Sequence, residues 1–392
     1  MGLFDWLTKP ANAESGDEKS KGHKISTETI NSIPDAVNSI KSQNSLNSGI
    51  DYLLDINARH SQAFMDLAIE RRRYREDHPT EIAALKCMDG RLHLPVMTQS
   101  TLGIIQPFRN LGGIFNLGWP FFQAAIDQWV DYSINRGRHC LVFVTYHFAR
   151  GDTHRGCRGF GYDTDAARDA AFKLKTQFDS VYGLGGAVTP IVCGIETDLD
   201  ALILHGENGQ FIDLANIQQE CSQLELEEML RSLYPSMPER VIRDLIPLVQ
   251  GNIKHISEIR AVNRPIEDAE HKEWVLGVGR GFDWLHIINT AFIVGPFDPN
   301  ISVAIETAAK LLKNNIDENR VDPSGVVLLT SGVYRDRAGS EYHLAKQKAQ
   351  FLSKFTLEII KNKVPDLTPH LQILTGCTDL NTRKFEIIER IN

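Results

Sequence analysis

The chain has 392 residues, 42% of them apolar and 23% charged, with a formal net charge of −8. That length exceeds one ordinary core and predicts two or three domains. The acidic balance, with no dense basic stretch beyond Arg71-Arg72-Arg73, argues against a nucleic-acid or anionic-membrane surface. Six thinly spread cysteines, no signal-peptide pattern and no run of about 20 apolar residues exclude a secreted disulfide scaffold and a membrane span. They predict a reducing cytoplasm, where thiols are free to bind metal.

Residues 1–45 are rich in Ser, Asn, Lys, Asp and Glu, which predicts a disordered tail. The apolar cluster Met1–Leu7 at its tip reads as a frayed terminus or as a docking peptide for a partner. Residues 46–80 carry Leu53, Leu54, Ile56, Phe64, Leu67 and Ile69 at helical intervals, ended by Pro79. Residues 81–213 change pattern. Leu141–Tyr146 and Ile191–Ile195 read as buried strands, with the amphipathic helix Asp165–Phe178 between them, an order that predicts a parallel sheet in an α/β domain. A helical insert rich in Glu and Leu spans 214–270, and a second α/β unit spans 271–392.

The second unit reads as a repeat of the first. Val142–His147 matches Val327–Gly332, and helical stretches follow at Asp165–Phe178 and His343–Phe355. Ile191-Val192-Cys193-Gly194 then recurs as Ile373-Leu374-Thr375-Gly376, each copy followed by Thr-Asp-Leu. On this alignment Leu276–Arg280 falls on Cys87–Arg91.

The chemistry concentrates in Cys87-Met88-Asp89-Gly90-Arg91. An extended backbone places Cys87, Asp89 and Arg91 on one face, where the guanidinium can hold the carboxylate bidentately. His147 closes a buried strand, and a loop leads from it to Cys157. Two thiols and one imidazole suit zinc and leave a fourth position open for water. His154 makes His-x-x-Cys with Cys157 and competes with His147 for the nitrogen ligand. His93, His139 and His205 read as core or surface residues.

Cys-x-Asp-x-Arg, a strand-end His and a Cys opening a Gly-containing loop and helix resemble the β-class carbonic anhydrases, here Cys87, Asp89, Arg91, His147 and Cys157. Phe108-Arg109-Asn110-Leu111-Gly112-Gly113 is similar to that class's Arg-Asn-x-Gly segment. The lengthened His-to-Cys spacing, Ile195–Ala201 and Gly279–Asp283 are most similar to the carboxysome shell carbonic anhydrases.

That resemblance implies a mostly parallel sheet duplicated within the chain, with a zinc-bearing first copy and a zinc-less second, because Gly332 stands where His147 stands. It implies reversible hydration of carbon dioxide to bicarbonate by a zinc-activated water. Asp89 and Arg91 are then catalytic, and Cys87, His147 and Cys157 (or His154 for His147) are the ligands. It also implies a homo-oligomer, residence in a carboxysome, and docking to a shell or cargo protein through the N-terminal tail. Relatives acting on carbonyl sulfide or carbon disulfide, and a scaffold with a structural zinc, are the competing readings.

Overall fold

The computed structural model describes residues 48–183, 186–265 and 269–392; the predicted tail and its tip lie outside them. Two helices come first, α1 (Gly49–Asp66) and α2 (Ala68–Asp77). Ser48 caps α1 by accepting from the Asp51 amide at 3.2 Å.

The first sheet contains β1 (Thr80–Cys87), β2 (Ile105–Asn110), β3 (His139–Phe148), β4 (Val188–Glu196), β5 (Ala201–His205) and β6 (Phe211–Asp213), in the order β2-β1-β3-β4-β5-β6. The first four are parallel, and β5 and β6 run antiparallel. Its connections hold the short α3 (Leu94–Met97), α4 (Pro120–Ile134) and α5 (Thr164–Tyr182). The insert forms α6 (Gln223–Leu233), started by a Ser222/Glu225 capping box, and α7 (Glu239–Val262).

The second sheet contains β7 (Val275–Gly279), β8 (Ala291–Val294), β9 (Val327–Tyr334), β10 (Gln372–Asp379) and β11 (Phe385–Ile391), in the order β8-β7-β9-β10-β11. Helices α8 (Ile301–Asp317) and α9 (Ser340–Lys363) connect its strands. Both sheets have four parallel strands in equivalent order followed by an antiparallel fifth, so the α/β unit is duplicated.

Strand β1 is buried along its whole length because it lies between two strands and is covered on both faces. Ile82 and Ala84 face a core shared with Val241, Leu245 and Leu248 of α7 and, continuously, Leu276 and Phe292 of the second repeat. Ala83 and Leu85 face Phe122 of α4 and Phe178 of α5. The alternation is the two-residue period of a strand. The insert is therefore a cover for one face of the first sheet.

Two features differ from a reading along the chain. The N-terminal helices directly precede the first α/β unit, but α1 packs chiefly on the second repeat. Ile50, Leu53 and Ile56 share a core with Trp274, Val327 and Leu374, and Asn57 bonds Arg383 O and the Phe385 amide. The repeat register also moves. Ala83 pairs with Val142 and Val275 with Val327, so matching Val142 to Val327 puts Gly279, rather than Leu276, at the position of Cys87. Leu276 and Val278 lie in the strand interior as core residues.

The repeats join where the first one's pentapeptide turns. The Ile293 amide donates to Met88 O at 2.9 Å, Asn289 to Gly90 O at 2.9 Å, and Gly295 to Arg109 O at 3.0 Å. A Cβ on Gly90 would stand 2.7 Å from Glu273 Cγ and 2.8 Å from Ala291 O. Only glycine lets the turn lie this close to the second repeat.

Candidate metal centre and its carboxylate–guanidinium pair

Cys87 ends β1, and His147 stands one residue before the end of neighbouring β3. Cys157 follows the intervening loop and opens a turn of 3₁₀ helix, Arg158–Phe160. One ligand atom from each lies within 4.8 Å of the others, and all three residues are buried. Neither ring nitrogen of His147 has a hydrogen-bond partner. A buried polar group without a partner is costly, so this imidazole is oriented for a ligand. The Cys157 thiol holds Cys87 well below the ordinary thiol range, and Cys87 pushes Cys157 well above it. Two soft sulfurs and an imidazole suit zinc, so these residues fit the metal that the sequence implied.

His154 lies elsewhere. Its side chain is 80% exposed and bonds Asp152 at 3.2 Å. His205 bonds the Tyr146 hydroxyl at 2.8 Å, and buried His93 faces Arg109.

Glycines bring the Cys157 loop against the strand ends. Gly112 has φ 66°, and a Cβ on Gly159 would stand 2.7 Å from Gly112 Cα. The Arg109–Gly113 segment thus packs beside the cluster. Asp198 fixes the same loop from β4's side, accepting from Gly151 N and Arg155 Nη2 at 2.8 Å each.

The predicted Asp89–Arg91 pairing is present, although strand alternation does not produce it. The strand ends at Cys87, and Asp89 accepts the Arg91 amide at 2.9 Å in an Asx-type turn. The guanidinium then donates from Nε to Oδ1 at 3.0 Å and from Nη2 to Oδ2 at 2.6 Å, the bidentate fork. Burial alone would raise the Asp89 carboxyl, but Arg91 holds it far below the usual carboxylate range. Asp89 Oδ2 lies 3.9 Å from His147 Nε2, placing an ionised acceptor beside the ligand cluster.

His271 and Glu273 escaped the sequence reading. His271 Nε2 lies 3.2 Å from Arg91 Nη2, and its Nδ1 lies 3.0 Å from Glu273 Oε2. Arg91 also donates to Ala269 O at 2.8 Å and Arg155 O at 2.9 Å. A His-x-Glu just before β7 was the available signal, but nothing local ties it to Asp89.

In the second repeat, backbone fills the corresponding space. A Cβ on Gly279 would meet Ser331 O at 2.1 Å, and one on Gly332 would meet Ala345 O at 2.2 Å.

The family model described as Carboxysome Shell Carbonic Anhydrase, catalytic domain, matches residues 124–257. That stretch holds His147 and Cys157 and begins after Arg91. The carboxysome shell carbonic anhydrase of Prochlorococcus marinus strain MIT 9313 is 22% identical over 260 residues, 56% of this chain and 50% of that protein. That of Prochlorococcus marinus subsp. pastoris is 25% identical over 240 residues, covering 53% and 46%. That of Halothiobacillus neapolitanus is 24% identical over 254 residues, covering 53% and 48%. The chain spans about half the length of these curated relatives. Fold, motif and comparison agree that this chain is close to the carboxysome shell carbonic anhydrases.

Proposed function

We propose that the protein hydrates carbon dioxide reversibly to bicarbonate, with Cys87, His147 and Cys157 holding zinc and Asp89 and Arg91 acting beside it. One observation carries this reading: the bidentate Asp89–Arg91 pair lies against a buried Cys-His-Cys group whose imidazole lacks a protein partner. When bound, zinc supplies a Lewis acid that lets water lose its proton near neutral pH. Arg91 keeps Asp89 ionised, and an ionised carboxylate only accepts hydrogen bonds. Asp89 can therefore hold the proton of a reacting water or of the bicarbonate hydroxyl, and it repels an unprotonated oxygen. A structural zinc would want a fourth Cys or His, and among the described residues the group has three members.

The catalytic unit is residues 81–213, the cover 214–270, and the zinc-less repeat 271–392. The names of the relatives support association with a carboxysome. Among the described residues, no helix is long and apolar enough to cross a membrane.

Stopped-flow hydration by zinc-loaded, reduced protein from about pH 6 to about 9.5 tests the reading. Two thiolates donate more charge than imidazoles, so activity should rise at alkaline pH. It should vanish in Cys157→Ser. Absence of turnover with zinc still bound would sink the reading and favour carbonyl sulfide or carbon disulfide, assayed alongside.

A further inference from the structure

Glu273 belongs to the second repeat, two residues before β7, and is fully buried. A carboxylate in such a place costs several kcal/mol unless hydrogen bonds satisfy it. Its Oε1 accepts from Gly90 N at 3.0 Å, and its two oxygens lie 3.1 and 3.0 Å from His271 Nδ1. It thus grips both the turn that carries the Asp89–Arg91 pair and the imidazole that faces the pair.

The protonation pattern follows from what each ring nitrogen faces. The two Nη2 protons of Arg91 go to Asp89 Oδ2 and Arg155 O at the shorter 2.6 and 2.9 Å, and a guanidinium has donors only, so the His271 Nε2 that lies 3.2 Å from this cation turns a lone pair to it rather than an N–H. The ring proton then sits on Nδ1 and is donated to Glu273. The opposite tautomer would aim an N–H at the guanidinium and present a lone pair to the carboxylate, failing at both ends. At 3.8 Å, His271 Nε2 is too far from Asp89 Oδ2 to hydrogen-bond it, so the ring acts through Arg91.

A second metal on Asp89, His271 and Glu273 is the competing use, since their ligand atoms lie within 4.8 Å of one another. Arg91 opposes it: the guanidinium already takes both oxygens of Asp89, and its positive charge lies 3.2 Å from His271 Nε2.

We propose that Glu273 is a positioning residue for the site in the first repeat, fixing His271 as the Nδ1–H tautomer so that its Nε2 helps orient Arg91 against Asp89. This rests on the carbonic anhydrase reading for its kinetic consequence, and on hydrogen-bond geometry alone for its structural one. The degenerate repeat would then complete the active site as well as pack against it.

The test is ¹⁵N NMR of the imidazole nitrogens in the zinc-loaded full chain, with His271 assigned by the signal lost in His271→Gln. A protonated Nδ1 and a bare Nε2 are expected; an Nε2–H tautomer or an imidazolium overturns the proposal. In Glu273→Gln, the amide oxygen can keep Gly90 while an NH₂ donor replaces the carboxylate oxygen 3.0 Å from Nδ1, which disfavours a proton on Nδ1 and favours one on Nε2 against Arg91. The variant should switch tautomer and keep its zinc, and it should lose roughly 10-fold or more in kcat with KM within about 2-fold. An unchanged tautomer or an unchanged kcat overturns the proposal. If the variant does not fold, the wild-type spectrum still decides. If wild-type protein fails to hydrate carbon dioxide, the functional reading falls while the spectrum independently judges the Glu273–His271 contact.

Discussion

Arg91→Ala tests whether the buried pair is held as the geometry requires. Arg91 spans Asp89 Oδ1 and Oδ2, Ala269 O and Arg155 O, at 2.6–3.0 Å. Asp89 is 3% exposed, so removing Arg91 strands a carboxylate that water cannot reach. Breaking a buried pair by deleting one partner costs about 3–5 kcal/mol. Arg59→Ala, which breaks the exposed Arg59–Asp55 pair, should cost under about 1 kcal/mol.

The loss should depend on pH. In the wild type, the folded Asp89 carboxyl lies below its unfolded value. Its contribution is therefore complete above the unfolded pKa of about 3.9 and is lost only as pH falls toward the folded value. Without Arg91, burial dominates and raises the folded carboxyl above its unfolded value, so the variant loses stability as pH rises. Urea denaturation of metal-free, reduced protein at about pH 5 and about pH 8 should show the larger deficit at the higher pH. A deficit below about 1 kcal/mol, or one equal at both pH values, would refute the reasoning.

Zinc retention should separate the two candidate histidines: His147→Ala should lose bound zinc by elemental analysis, whereas His154→Ala should keep both zinc and activity. Asn252→Leu tests the clasp between the insert and the first repeat. Fully buried Asn252 donates to Met97 O and Asp200 O and accepts from Leu202 N, at 2.8–3.0 Å. Leucine strands three buried groups at about 1–3 kcal/mol each, so chemical denaturation should report a loss of at least about 3 kcal/mol.

The Cys87–His147–Cys157 group was legible because the positions of its members depend on local pattern. A buried strand announces itself by its apolar run, and Cys87 and His147 stand at or beside the ends of two such runs, β1 and β3. The Asp89–Arg91 contact was legible from the two-residue spacing, yet its cause was misread, because side-chain capping by Asp89 turns the chain where alternation had been expected to continue. The repeat register slipped because Val275-Leu276-Gly277-Val278-Gly279 offers few distinctive side chains to anchor an alignment; pairing with β9 sets it. His271 and Glu273 were illegible for a different reason. Glu273 meets Gly90 across 183 residues of chain and His271 meets Arg91 across 180, and only the packing of one repeat on the other creates these contacts.

That packing also bears on why the second repeat carries Gly279 and Gly332 where the first carries Cys87 and His147. Gly279 and Gly332 let backbone fill the space that Cys87 and His147 occupy in the first copy, which a metal-binding copy could not allow. The segment just before β7 then turned outward to the other copy. Its Glu273 meets the turn after Cys87, and the β8 region adds amide bonds to Met88 O and Gly90 O. In two identical copies, each turn would have to serve its own ligands and its neighbour's with one sequence. Divergence removes that constraint, so one copy can carry the reactive groups and the other can specialise in holding them. This division accounts for why Gly90 has room for no side chain and why a wholly buried carboxylate persists in the half without the Cys-His-Cys group.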